Sequence, residues 1–201
     1  MLVPDVVWFS ALYLQEALGV TQRDILTWVQ QSAMETQPCS DNPKDFLLPS
    51  TPLFQWLFKQ HKTLPLRLQR KAYPQAPLVL CIEDNLMTQQ LLGQLLIRQQ
   101  WPVSLVGSGE AALTYLTQCA PDELPQVITV DVGLPGMTGL AFIHALKQSQ
   151  RVQHIPCVVV SGIESEDAAK LAQLGIAHVL PKPFSKVALI DCLTQALKNS
   201  P

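Results

Sequence analysis

No stretch of 18 or more residues in this chain is free of charged or strongly polar groups, although 48 % of its 201 residues are apolar. A helix needs about 20 mostly apolar residues to cross a bilayer, so no membrane-spanning helix is expected. The N-terminus lacks the basic, then apolar, then small-residue order of a secretory leader, and the expectation is a soluble, cytoplasmic protein.

Cysteines are few and unpaired. Cys39, Cys81, Cys119, Cys157 and Cys192 are odd in number, widely spaced and never arranged as C-x-x-C, which argues against a disulfide framework and against a zinc site. Three of them stand inside apolar runs, where a free thiol behaves as a small buried hydrophobe. His61, His144, His154 and His178 show no metal-ligand spacing either. Nor is there a surplus of charge. The net charge is −2; residues 1–76 hold seven Lys/Arg against six Asp/Glu, and residues 77–201 hold seven against ten. Neither part has the cationic excess of a protein held to nucleic acid by phosphate contacts alone.

The length leaves room for one standard domain and a small one. From Gln37 to Pro77 the chain carries Pro38, Pro43, Pro49, Pro52, Pro65, Pro74 and Pro77, a density that prevents long helices and marks loops or linkers. Then the pattern changes. Leu78-Val79-Leu80-Cys81-Ile82 is an unbroken apolar run ending at Glu83-Asp84, as expected of a strand buried on both faces of a parallel sheet. Val127-Ile128-Thr129-Val130 ends in the same way at Asp131, and Cys157-Val158-Val159-Val160 at Ser161.

Between these runs apolar residues recur at helical spacing: Met87, Leu91, Leu92, Leu95 and Leu96; Ala111, Leu113 and Leu116; Leu140, Ile143 and Leu146; Val187, Ile190, Leu193 and Leu197. With weaker strands near Val103–Val106 and His178–Leu180, strand then helix repeats about five times, which predicts a doubly wound α/β domain with a five-stranded parallel sheet. In such sheets the chemistry sits beyond the carboxyl ends of the strands, where Glu83, Asp84, Asp131 and Ser161 all fall. Carboxylates gathered at one edge repel one another unless a cation sits among them. Magnesium, a hard ion bound by one or two carboxylates together with phosphate oxygens, is the economical answer, and it suggests phosphoryl chemistry at a carboxylate.

After Asp131 the chain reads Val132-Gly133-Leu134-Pro135-Gly136-Met137-Thr138-Gly139. This resembles the phosphorylation loop of two-component response-regulator receiver domains. The resemblance covers about 120 residues: Glu83-Asp84 matches the acidic pair after the first strand, Ser161-Gly162 the hydroxyl switch after the fourth, and Lys182-Pro183-Phe184 the lysine after the fifth. It implies a flavodoxin-like receiver fold over 77–201, preceded by a small, mainly α N-terminal module at 1–60 and a Pro-containing linker at 61–76. Asp131 would then be the phosphoacceptor, served by a histidine kinase or phosphotransfer protein. Asp84, Asp131 and the Gly133 carbonyl would hold Mg²⁺, with Glu83 acting mostly through a bound water. Lys182 would stabilise phosphoryl charge, Ser161 and the Gly162 N–H would close on the phosphoryl group, and the Lys182–Pro183 peptide would be cis. No enzyme activity is expected beyond self-catalysed phosphoryl acceptance and autodephosphorylation. The output would be a switched protein target, with room for a homodimer.

The haloacid-dehalogenase-like phosphatases also phosphorylate an Asp after a buried strand. They need a second carboxylate two residues on, and Gly133 stands there. The chain departs from the receiver pattern at Val179, where an aromatic ring commonly rotates inward during switching. Two neighbours of the phosphoryl site bear on the lifetime of the signal: Gly133 leaves the path of attacking water open, while the bulky Ile163 would shield the other side.

In the first 76 residues, Leu12–Leu18, Gly19, then Thr21 and Gln22–Gln31 read as a helix, a glycine turn, a Thr N-cap and a second helix. The string resembles a DNA-binding helix-turn-helix. Gln15 stands where a small residue should let the helices cross, and Arg23, flanked by Asp24, is the second helix's cation. A plain helical hairpin with Ile25, Trp28 and Val29 in its core is therefore the first reading, and a phosphorylation-controlled DNA-binding regulator the second. The Pro52–Phe58 aromatic run reads as core or as a docking helix, and the nearby Lys59, Lys62, Arg67, Arg70 and Lys71 as a solvated face.

Overall fold

Residues 7–60, 62, 64–162 and 171–199 are described by the structure, a computed structural model. The chain falls into two units, one of Met1–Ala76 with Ile97–Gln100 and one of Pro77–Leu96 with Trp101–Pro201.

In the first unit, β1 (Trp8–Ser10) runs into α1 (Ala11–Leu18), because the Ser10 hydroxyl caps the helix by accepting from the Tyr13 N–H. Gly19 ends α1 at φ 66°, a left-handed conformation that glycine adopts without steric cost. Thr21 and Asp24 then form a capping box that starts α2 (Gln22–Ser32), which buries Ile25 and Trp28. The predicted helical hairpin is therefore present.

The periodicity missed a three-stranded antiparallel sheet. β2 (Gln37–Pro38) and β1 flank β3 (Phe46–Pro49) in the order β1-β3-β2, with Phe9 opposite Leu48. The buried Asp45 carboxylate accepts from the Leu12 and Phe46 N–H groups, joining strand and helix. α3 (Ser50–Lys59) follows, with Leu53, Phe54, Leu57 and Phe58 buried, so the aromatic run is core. Phe54 stacks with Phe9 and meets the edge of Tyr73. Residues 61–76, expected as a linker, hold α4 (Leu66–Ala72), which buries Leu68, Gln69 and Ala72. The physical reason is that Pro49 and Pro65 stand just before helices: proline there punctuates the chain without excluding a short helix.

The second unit is the doubly wound domain that the sequence predicts. Its strands are β4 (Val79–Ile82), β5 (Val103–Val106), β6 (Val127–Val130), β7 (Cys157–Ser161) and β8 (His178–Pro181). They form one parallel sheet in the order β5-β4-β6-β7-β8. Its helices include α5 (Leu86–Arg98), α6 (Gly109–Gln118), α7 (Gly139–Gln148) and α8 (Lys186–Lys198).

Alternation along the strands sends successive side chains to opposite faces. Leu80, Ile82, Ile128, Val130 and Val159 join Ala112 and Leu116 of α6 and Phe142, Ile143 and Leu146 of α7 in one core. The intervening Val79, Cys81, Val127 and Val158 are equally buried, and α8 packs along β6, β7 and β8. A strand covered on both faces has no use for polar alternation, which is why these segments read as unbroken apolar runs.

Candidate functional site

Parallel pairing brings the carboxyl ends of β4, β6 and β8 to one edge, and the residues immediately after them converge. The Glu83 N–H extends the ladder to Val106 O at 3.1 Å, and the Asp131 N–H bonds Ile82 O at 3.0 Å, so backbone hydrogen bonds fix both acids. Lys182 follows β8, and the Lys182–Pro183 peptide is cis. Its ammonium donates to Glu83 Oε2 at 2.7 Å and to Asp131 Oδ2 at 2.5 Å. The Lys182 side chain is 26 % exposed, Asp131 14 % and Glu83 2 %.

The remaining carboxylate oxygens are held by backbone. Glu83 Oε1 accepts the Asn85 N–H at 3.3 Å, and Asp131 Oδ1 accepts the Gly133 N–H at 3.1 Å. Asp84 is exposed, and one oxygen from each of Glu83, Asp84 and Asp131 lies within 4.8 Å of the others. An all-oxygen, carboxylate-rich donor set of this span fits a hard divalent cation of the Mg²⁺ kind.

Electrostatics follows from burial. Desolvation pushes the Glu83 carboxyl above the usual carboxylate range; the Lys182 bond and charge oppose this, and the Asp131 charge adds to it. Burial draws the Lys182 ammonium down, but its bonds to Asp131 and Glu83 and their charges more than offset that, leaving it above its ordinary value. The trio of groups is thus strongly coupled, with one cation shared between two acids.

The loop after Asp131 is shaped by a close approach. A Cβ at Gly139 would overlap the Asp131 carbonyl oxygen, so α7 can begin directly behind the acid only with glycine there. Thr138 caps that helix through the Ala141 N–H. Ser161 ends β7 in register with Pro181, at the same sheet edge. Ile163 lies outside the described residues. Val179 is half-buried in β8 and packs against the core shared by α6 and α7.

Two residues at the site were not singled out from sequence. Asn85 caps the start of α5 by accepting the Thr88 N–H, and the Gln89 amide donates to Glu83 O. The Asn-x-x-Thr spacing carries a signal for the cap; nothing in the sequence marks the Gln89 contact.

Comparison with known proteins converges on this unit. Residues 79–194 match the response regulator receiver domain family. The response regulator PleD of Caulobacter vibrioides is 30 % identical over 112 residues, covering 55 % of this chain and 24 % of PleD, so the chain spans about a quarter of that relative's length. The polar-differentiation response regulator DivK of Brucella ovis is 27 % identical over 123 residues, 61 % of this chain and 97 % of DivK. Among solved structures, a sensor protein from Polaromonas sp. JS666 aligns with a TM-score of 0.56 at 28 % identity, covering 61 % of this chain and 97 % of that one. The chemotaxis protein CheY4 of Vibrio cholerae shares the fold, with a TM-score of 0.55 at 23 % identity over 60 % of this chain and 98 % of its own. No described helix is long and apolar enough to cross a membrane. The family match spans more than half of the sequence and includes Glu83, Asp84, Asp131, Ser161 and Lys182, and the chain belongs to the response regulator receiver domain family of two-component signalling.

Proposed function

We propose that this protein accepts a phosphoryl group on Asp131 and, in response, switches its contact with a protein target. The observation that carries the reading is the Lys182 ammonium bonded at once to Asp131 and to the buried Glu83, with Asp84 alongside. In the transfer, an Asp131 carboxylate oxygen forms a bond to phosphorus as the phosphorus–nitrogen bond of a donor phosphohistidine breaks, giving an acyl phosphate and a free imidazole. Asp84, Asp131 and the Gly133 carbonyl would hold Mg²⁺, with Glu83 reaching it through water. Bound there, the ion would neutralise phosphoryl charge. Lys182 offsets the charge that develops on the phosphoryl oxygens, and Ser161 with Gly162 closes on the product.

The donor is a histidine kinase or phosphotransfer protein of the cytoplasm. It must bring its phosphohistidine to the carboxyl edge of the sheet, and exposed apolar side chains stand at the starts of the two helices that follow Asp84 and Lys182: Leu86 and Met87 on α5, at 69 % and 80 %, and Val187 on α8, at 68 %. The first unit supplies the output.

The test is intact mass spectrometry after incubation with acetyl phosphate and Mg²⁺. The parent should gain one labile phosphoryl group and Asp131→Asn should gain none; equal labile mass on that variant overturns the assignment.

DNA contact is the second reading. Its support is the outward face of α2, where Gln22, Arg23, Thr27, Gln30 and Gln31 are exposed, the amide, hydroxyl and guanidinium chemistry that bonds base edges. A mobility shift on duplex DNA with a steep salt slope would select it; a protein adaptor gives none.

A further inference from the structure

The loop between Asp131 and α7 is held at three points. Leu134 is buried in the core shared by α6 and α7, and the Gly139 N–H donates to Val132 O at 3.1 Å where the helix begins. The third point comes from a different element. The Met137 N–H donates to Glu110 Oε1 at 2.8 Å, across 27 residues of sequence. Glu110 belongs to the first turn of α6, directly after Gly109.

Two glycines make room for this bond. Gly136 has φ +72°, and a Cβ there would meet Glu110 Oε1 at 2.8 Å; a Cβ on Gly109 would meet the Met137 side chain at 3.0 Å. What the bond requires is an acceptor oxygen at this place. The peptide it grips lies four residues beyond Gly133, in a turn whose other residues are exposed apart from Leu134 and Met137.

We infer that Glu110 is a positioning residue for the phosphoacceptor site: by accepting the Met137 N–H it fixes the Gly136–Met137 turn, and with it the backbone at Gly133, relative to the Asp131 carboxylate. The inference rests on the reading of the Gly133 carbonyl as a cation ligand. Glu110 is not a member of the Glu83, Asp84 and Asp131 cluster; it acts through the chain, as groups beyond the ligands do when they hold a ligand in its binding geometry. A first-turn acid also favours its own helix electrostatically, and this must be told apart from the clamp.

Glutamine separates the two, because its side-chain oxygen still accepts the Met137 N–H while the charge is gone. The experiment compares the full chain, Glu110→Ala and Glu110→Gln by two readouts. One is amide hydrogen exchange of the peptide spanning 132–139, measured without divalent metal. The other is calorimetric titration with Mg²⁺ alone. Glu110→Ala should exchange faster across the loop and bind Mg²⁺ about tenfold more weakly, the lower end of what loss of such supporting groups costs, while Glu110→Gln stays within about twofold of the parent.

Exchange in Glu110→Ala equal to the parent overturns the clamp. Faster exchange with unchanged Mg²⁺ affinity overturns the claim that the clamp positions a ligand. Glu110→Gln behaving like Glu110→Ala overturns the bond in favour of helix charge. A parent protein that binds no Mg²⁺ overturns the cation reading itself, and the metal-free exchange comparison distinguishes that failure from failure of the Glu110 contact.

Discussion

Replacing Lys182 by alanine should destabilise the second unit in a way that both acid and Mg²⁺ repair. Lys182 is bonded to Glu83 and Asp131 at 2.7 and 2.5 Å, and Glu83 is almost fully buried. Without the ammonium, carboxylate oxygens within 4.8 Å of one another face each other uncompensated. Two unit charges at 4.8 Å repel by about 3.5 kcal/mol at an effective dielectric of about 20. Lys182 and Asp131 keep partial access to water, so screening lowers this, and the expected loss at neutral pH and low salt is about 2–3 kcal/mol. For a chain of this size that is a fall of roughly 5–10 °C in melting temperature.

The pH dependence has a definite sign. Burial, opposed by Lys182, holds the Glu83 carboxyl above its ordinary value. A carboxyl whose folded pKa exceeds its unfolded one binds its proton more tightly in the folded state. Stability is then greatest below the unfolded pKa and falls as pH rises toward the folded one. Removing Lys182 raises the folded value further, so the deficit of the variant deepens toward neutral pH and shrinks on acidification. Millimolar Mg²⁺ restores positive charge among the acids and binds only the folded state, which narrows the deficit as well. Adding Asp131→Asn to Lys182→Ala removes one of the repelling charges and should recover part of the loss. The assay is thermal unfolding of parent and variants at about pH 5.5 and about pH 7.5, with chelator or with Mg²⁺. A deficit that ignores both pH and Mg²⁺, or a variant as stable as the parent at neutral pH in chelator, would refute the reasoning.

Gly133 is exposed and a Cβ there would stand 3.8 Å from Asp131 Oδ1, so Gly133→Met should fit, crowd the path of the attacking water and slow loss of the phosphoryl group after donor removal; hydrolysis as fast as the parent's counts against it. The buried Thr129 hydroxyl in β6 has, among the described residues, no better partner than the weakly polar Cys81 thiol beside it in register, so Thr129→Val should stabilise by up to about 1 kcal/mol in urea unfolding, and a clear loss of stability would show that this contact satisfies the hydroxyl. Burial pushes the Cys81 and Cys157 thiols up to about 12, so alkylation of the native protein should reach at most Cys39, Cys119 and Cys192, with the other two labelled only after denaturation, as peptide mapping would show.

The second unit was legible because its strands are buried on both faces: runs such as Val79–Ile82 and Val127–Val130 carry no polar alternation, and each ends at an acid. The small sheet of the first unit was not legible, for a physical reason. β1 and β2 have three and two residues, too short for any period to register, and the pairing of β1 with β3 spans the whole helical hairpin. Phe46-Leu47-Leu48-Pro49 lies in proline-rich sequence, yet Pro49 stands at the end of its strand, where a missing N–H does little harm. α4 was hidden in the same way by Pro65, which reads as a breaker and serves as the residue before a helix.

The members of the site were readable because each is covalently next to a strand end, and a parallel sheet collects those ends at one edge. Their pairings were not. Glu83, expected to act through water, gives one oxygen directly to Lys182, 99 residues away, and the other to the Asn85 N–H. Chain order says nothing of such contacts, since a long ammonium stem reaches whichever neighbouring charge is least hydrated. Here that is the buried Glu83 as well as Asp131, so Lys182 is divided between two acids before any phosphoryl group arrives. Phosphorylation of Asp131 would place more negative charge there than the carboxylate carries, and the ammonium would shift its bonds toward it. Glu83 would then lose a partner while remaining buried, and a cation held among Glu83, Asp84 and Asp131 would keep that state from leaving an unpaired charge in the sheet.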